Sequence, residues 1–299
     1  MLSSTRARAL KPLLDAFAGK ADWAERKRFD PIEFPGRYQA ARDVEVAGLL
    51  GSALAYGRAD LFKPKVDGLL AQMGRSPAAY VAELDVKRAA KLLDGFVYRF
   101  NLPADVAVLL MGMGAVLRER GSLEAAFEGE TQHARLANLT KTVRGAAPLK
   151  LITKHLGKTR GLAHLLPSPL GPGAAKRLNL FLRWMVRGPD GTDFGVWRVV
   201  KPAQLIIPLD THVMRIAKLL GLTARNDASW RTAEEVTASL RLLDASDPVR
   251  YDFALCHYGM SGACPAVPIR DNCLTCELKG ACRRGRVLRQ TGPASSGQC

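Results

Sequence analysis

Four cysteines within nineteen residues constrain this 299-residue chain more than any other feature. They stand as Cys264-x8-Cys273-x2-Cys276-x5-Cys282, after 255 residues that contain no cysteine at all. A disulfide scaffold spreads its cysteines through a short secreted chain, whereas a late, dense group reads as metal or redox chemistry. Four soft thiolates suit either a tetrahedral zinc or a cubane iron–sulfur cluster. Zinc ribbons use two close pairs parted by a hairpin. Here a single C-x2-C pair is flanked by looser intervals, as in a chain wrapped round a larger object, so the spacing favours a [4Fe–4S] cluster with zinc as the alternative. Cys256 ends the apolar helical stretch Phe253-Ala254-Leu255 and is expected as a buried core thiol. Cys299, in a polar tail, is expected to be free.

Ahead of the cysteines the hydrophobic spacing is helical almost throughout. Val46, Leu49, Leu50 and Ala53 fall on one helix face, as do Leu178, Phe181, Leu182 and Met185, and Val213, Ile216, Leu219 and Leu220. The best strand candidate, Leu205-Ile206-Ile207, stops at Pro208. An all-α fold follows. The longest apolar run, Val106 to Leu117, is closed by Asp105 and Arg118 and is too short for a bilayer, which needs about 20 residues. It is expected to be a buried core helix, in a soluble, cytoplasmic protein whose basic N-terminus lacks a secretory signal. No solenoid-like repeat is present. Gly and Pro gather at residues 30–36, 166–173 and 188–191, where breaks are expected.

Forty-four Lys and Arg against 28 Asp and Glu leave a net charge of +16, a field that draws polyanions, of which nucleic acid is the commonest. The plainer alternative is a set of idle, solvated charges. Three motifs bear on the choice. Pro208-Leu209-Asp210-Thr211-His212-Val213-Met214-Arg215 resembles the V-D-T-H-V-x-R motif of the endonuclease III branch of helix–hairpin–helix DNA glycosylases. His257-Tyr258-Gly259, followed by the four cysteines, is similar to that branch's lead into its iron–sulfur loop. Lys176 to Arg187 matches the K-R-L-N-x-F-L-R-W-M-V-R signature of an uncharacterised bacterial branch of the superfamily, to which the whole chain is most similar. The resemblance is strongest over residues 176–282.

The resemblance implies a two-lobed helix–hairpin–helix glycosylase-like fold with a C-terminal iron–sulfur loop, and a catalytic pair. Asp210 falls at the family's catalytic Asp, able to stabilise an oxocarbenium charge and assist proton transfer. Lys176, in Lys176-Arg177-Leu178-Asn179, falls at the nucleophilic Lys of bifunctional members. Such a Lys attacks the sugar C1′ and forms a Schiff base once desolvation or a cationic neighbour, here Arg177, favours its neutral form. Each has a plainer reading: Asp210 as a helix N-cap worth about 1 kcal/mol, Lys176 as a phosphate contact. On a helix, Lys176, Arg183 and Arg187 would share a face opposite the apolar stripe, a basic row for phosphates or a merely solvated one. Tyr56 and Arg58 occupy the position from which such enzymes insert a side chain into the base stack, although Gly57 also fits a helix cap.

The sequence departs from the family in three places. The hairpin, L-P-G-V-G in the family, reads Leu166-Pro167-Ser168-Pro169-Leu170-Gly171-Pro172-Gly173; Gly171 and Gly173 keep phosphate-facing backbone possible, and Pro172 removes a donor. The stretch from Arg187 to Val200 is longer than expected and brings a competing acid, Asp193. The first cysteine interval is eight where six is expected.

These readings give four segments: 1–39, an N-terminal helical part packing with the C-terminal lobe; 40–205, a helical barrel with the hairpin; 206–282, the cluster domain; and 283–299, a basic flexible tail. Duplex DNA with a damaged base or abasic site would lie in the groove between lobes, its flipped nucleotide meeting Lys176 and Asp210. The expected function is N-glycosidic base release, with AP lyase action if Lys176 is the nucleophile, by a monomer at the nucleoid. The alternatives are a non-catalytic DNA-binding or damage-recognition protein that retains fold and cluster, and a zinc-stapled RNA-binding protein.

Overall fold

Six of the described α-helices begin where the sequence supplies a side-chain cap. The computed structural model describes residues 2–20 and 25–285, and among these it contains helices and no strand. In chain order the helices are α1 (Ser4–Ala18), α2 (Ala41–Leu54), α3 (Ala59–Met73), α4 (Pro77–Ala82), α5 (Val86–Leu92), α6 (Pro103–Arg120), α7 (Gln132–Ala146), α8 (Leu149–Leu156), α9 (Leu162–Leu165), α10 (Lys176–Val186), α11 (Thr211–Leu220), α12 (Trp230–Arg241), α13 (Asp252–Met260) and α14 (Arg270–Thr275). The side chains of Ser3, Ser76, Asp85, Thr131, Asp210 and Ser229 each accept an amide of the first turn they precede. Capping of this kind satisfies a donor that the helix itself leaves open. No described helix is long and apolar enough to cross a membrane.

The described residues divide into two compact units. The larger, Lys27–Gln204, is built round α2 and α6. In α6 the run from Val106 to Leu117 is buried on nearly every side, as expected for a core helix, and each fully buried Leu or Val contributes about 1.5–3 kcal/mol. Pro103 opens α6 in the first helical position, and Asp105 accepts amides of Leu102 at 2.8 Å and of Arg160 and Gly161 at 3.0 Å. That carboxylate ties the α6 N-terminus to the segment entering α9. Residues 27–39 belong to this unit, because Ile32 and Phe34 are buried and Phe34 packs directly on Gly51 of α2.

The second unit comprises the described residues of Met1–Arg26 and Leu205–Cys299. Arg6 of α1 donates to the Leu220 carbonyl at 2.7 Å, and Tyr251 donates to Asp15 at 2.7 Å, so α1 and the described residues after Gln204 form one body. Leu205-Ile206-Ile207 is buried yet pairs with no strand; the Ile207 amide goes instead to Thr237 Oγ1 at 3.0 Å.

The stretch after α10 is core. Phe194 and Trp197 donate backbone amides to Trp184 and Met185 at 2.9 and 2.8 Å, and the Trp197 indole donates to Glu45 at 2.6 Å. Asp193, expected as a competing acid, is buried and bound by Arg183 and Arg187. A buried carboxylate costs several kcal/mol unless paired, and two guanidiniums pair this one. The expected basic row therefore does not form. Arg183 and Arg187 turn inward to Asp193, Arg187 also reaches Asp190 at 2.7 Å, and only Lys176 of the three stays partly exposed. The tail beyond residue 285, with Cys299, lies outside the described residues.

Candidate functional site

Asp210 caps α11: its Oδ1 accepts the Val213 amide at 2.7 Å. Its Oδ2 lies 3.3 Å from the Cys256 thiol on α13. Cys256, expected in the core, is half-buried beside this carboxylate, because α13 packs on α11 closely enough that a Cβ at Gly259 would stand 2.6 Å from His212 Cβ. The glycine of the His257-Tyr258-Gly259 motif is thus a close-approach residue, and His257 is buried against Phe253 with ring centroids 4.2 Å apart.

The same α11 reaches the cysteine loop. Arg215 donates to the carbonyls of Gly259 at 3.1 Å and Cys264 at 2.7 Å, which joins the Asp-Thr-His helix, the α13 C-terminus and the first cysteine. Cys264, Cys273, Cys276 and Cys282 all line one cavity, and the Tyr258 hydroxyl donates to Cys276 Sγ at 3.1 Å. Burial pushes the thiols of Cys264 and Cys273 up, and neighbouring cysteines add to it. Among the described residues no His, Asp or Glu lines the cavity, so their donor set is four sulfurs, which fits either an iron–sulfur cluster or zinc. Among the described residues no three His, Cys, Asp or Glu side chains are drawn together tightly enough to hold a single metal ion.

Lys176 is the first residue of α10, in the larger unit, whereas Asp210 belongs to the other. The residue before it, Ala175, has φ 47° and ψ 39°, a left-handed conformation that costs a non-glycine residue about 1 kcal/mol. The turn from Leu166 to Gly173 leads into it: the Gly171 amide donates to Ser168 at 3.3 Å, Gly171 and Gly173 are exposed, and a Cβ at Gly173 would meet open space.

Arg177 does not face solvent. Its guanidinium donates to the carbonyls of Ala53, His164 and Leu165, and burial brings its pKa down to about 10. It lies 5.1 Å from the centroid of Tyr56, whose ring also contacts Tyr98, Phe100 and His164 at 4.8, 5.6 and 4.3 Å. Burial pushes the Tyr56 hydroxyl up to about 12, and that hydroxyl donates to Asn101. Tyr56 is therefore a half-buried strut. Arg58 is exposed, but its guanidinium is held by Asp60 at 2.6 and 3.0 Å.

One feature escaped the sequence reading. Tyr98 and Asn101 exchange backbone hydrogen bonds at 3.1 and 2.9 Å, closing a turn with Arg99 at φ 53°. Phe100 stands at the tip, 42% exposed, stacked on Tyr56 and edge-on to His164. An aromatic held out on a rigid turn is a stacking surface. The only sequence signal was an aromatic pair, Tyr98 and Phe100, five and three residues before the proline that opens α6.

A family profile described as "Protein of unknown function (DUF2400)" matches residues 30–261. The chain belongs to the DUF2400 family. The DUF2400 match takes in Lys176, Asp210, Cys256 and the Tyr98–Asn101 turn, and ends just before Cys264. A search of curated proteins finds no match.

Proposed function

We propose that this member of the DUF2400 family is a DNA base-excision glycosylase of the helix–hairpin–helix, iron–sulfur kind, acting as a monomer in the cytoplasm, at the nucleoid, on duplex DNA with a damaged base or abasic site. The observation that carries this reading is the Arg215 bridge: one side chain ties the helix capped by Asp210 to the loop bearing the four cysteines. The two motifs that resemble the glycosylases are thus parts of one structural piece.

In this reading Cys264, Cys273, Cys276 and Cys282 hold a [4Fe–4S] cluster, which when bound staples the loop against α11. Asp210 stabilises positive charge on the sugar as the C1′–N bond breaks and the base leaves with the bonding pair. In the bifunctional form the lone pair of Lys176 Nζ makes the new bond to C1′ as the base departs with its bonding pair, and the amine proton passes to water. Ring opening gives the Schiff base, and loss of a C2′ proton expels the 3′ phosphate. Phe100, with Arg99 beside it, supplies a stacking contact for the opened duplex.

A second reading, a DNA-binding protein without catalysis, is favoured by one observation: both Asp210 oxygens are already engaged, by Val213 and Cys256. Borohydride trapping on DNA with oxidised bases or abasic sites separates the two. The lyase predicts a covalent adduct that disappears in Lys176→Ala. Base release that needs Asp210 but leaves no adduct identifies a monofunctional glycosylase, and neither activity across a broad lesion panel rejects the enzyme. Anaerobically purified protein is expected to be brown, with iron and acid-labile sulfide; colourless protein containing zinc rejects the cluster.

A further inference from the structure

Along α11, beside the cysteine cavity, lies a second cavity of about 490 Å³ that the glycosylase reading does not use. Its size falls within the range of small-molecule sites, roughly 300–1,000 Å³. Arg215, Lys218 and Arg284 bring three cations to its wall, and among the described residues no Asp or Glu lines it. Each cation is oriented by neutral oxygens. Arg284 donates to the carbonyls of Pro265 and Ala266 at 3.0 and 2.8 Å, Lys218 to the side-chain oxygen of Asn226, and Arg215 to Gly259 and Cys264. Such partners fix direction without cancelling charge. The Arg215 Nε is also buried with no hydrogen-bond partner among the described residues. A buried donor left open is costly, and an anionic oxygen that reached it would relieve that cost.

Phosphate alone does not account for the volume. Besides the polar Thr211 and Asn226, the wall has an apolar part from Met214, Leu219 and Ala228, and the flexible thioether of Met214 is suited to packing on a planar ring. A positive end and an apolar end in one cavity fit a phosphorylated, planar-bodied ligand. We propose that this cavity binds a nucleoside phosphate, its phosphate on Arg215, Lys218 and Arg284 and its base against Met214 and Leu219. A free nucleotide and the 5′-phosphorylated terminal nucleotide of a strand offer the same chemistry.

The cavity shares Arg215 with the bridge to the cysteine loop and reaches Thr211 beside Asp210, but the proposal does not rest on the glycosylase reading, because its test reads ligand binding and not base release. It is tested by titrating the full-length protein calorimetrically with AMP, ATP, adenosine, inorganic phosphate, and one oligonucleotide with either a 5′-phosphate or a 5′-hydroxyl. AMP or ATP, or the 5′-phosphorylated strand alone, is expected to bind at least tenfold more tightly than adenosine and phosphate. Lys218→Gln and Arg284→Gln are each expected to weaken that binding at least fivefold, with circular dichroism and melting temperature unchanged. The first result identifies a free nucleotide, the second a strand end. Three outcomes overturn the proposal: no phosphorylated probe binds, inorganic phosphate binds as tightly as AMP, or binding is indifferent to both variants. Because the charge changes sit at partly exposed side chains, a folded variant is expected in each case; should one fail to fold, the other decides.

Discussion

The thiol of Cys256 lies 3.3 Å from Oδ2 of Asp210, the carboxylate whose other oxygen accepts the Val213 amide. One side chain thus closes a helix end and receives a hydrogen bond from a second helix, so its structural and chemical roles need separating. Asn caps helices as well as Asp, whereas Ala does not. Asp210→Asn is expected to keep stability within about 0.5 kcal/mol and Asp210→Ala to lose about 1 kcal/mol in urea denaturation. Base release is expected to vanish in both. Activity that survives in Asp210→Asn would leave the residue a cap and nothing more.

Arg177 is positioned to hold the larger unit together. Its guanidinium serves carbonyls from α2 and α9, and replacing it by Met leaves these part-buried carbonyls without their donor. Arg177→Met is expected to cost about 3 kcal/mol, because hydrogen bonds to charged groups contribute about 1.5–3 kcal/mol each and do not add fully. The slope of DNA affinity against salt is expected to stay the same, since a lost phosphate contact would lower it by about 1.

Two helical glycines make opposite predictions. A Cβ on Gly112 of α6 would stand 2.0 Å from the Val143 carbonyl oxygen, a backbone atom that cannot swing aside, whereas a Cβ on Gly68 of α3 would meet nothing within 4 Å. Gly112→Ala is expected to destabilise by 2 kcal/mol or more, of the order seen for overpacking, about 1–3 kcal/mol. Gly68→Ala is expected to stabilise by about 0.5–1 kcal/mol through helix propensity. Thermal melts of the pair check the packing of α6 against α7.

His164 sets an acid limit. Burial, then the charges of Arg177 and Arg99, lower its pKa from 6.5 to about 4. Between those values the unfolded chain binds a proton that the folded chain refuses, so stability is whole above about 6.5 and falls as the pH drops toward 4. Asp227 behaves in a different window: hydrogen bonds from Ser229 and Thr232 hold it at about 2, so its contribution is lost only as the pH falls below 3.8. His164→Gln is expected to flatten the stability profile between pH 6.5 and 4 and to leave the lower limb unchanged. A profile with the same slope in the variant would move the linkage elsewhere.

Reading the charges one segment at a time misplaced several of them. Arg183 shares a helix with Lys176 and Arg187 follows its last turn, and the spacing of the apolar residues put them on the outer side. The partner that draws them inward, Asp193, arrives only because the chain after α10 folds back through Trp197 to Glu45. Arg177 and Tyr56 went the same way: they are distant in sequence and meet as a cation over a ring. Cys256 moved in the opposite direction, from the core to the side of Asp210, since its neighbours are set by how closely Gly259 lets two helices approach.

What the sequence determined by itself was local. Helical periodicity, the cap at Asp210 and the close grouping of the cysteines depend on residues within a few turns of one another, so the amino-acid order was enough to read them. The tertiary structure alone decided which charges are spent inside and which remain for a ligand, because the free energy of a charged group depends on the water and the counter-charges around it. Those surroundings come from segments tens to hundreds of residues away: Arg215 bridging to Cys264, Arg177 held by Ala53, and Arg284 brought to the same cavity as Lys218.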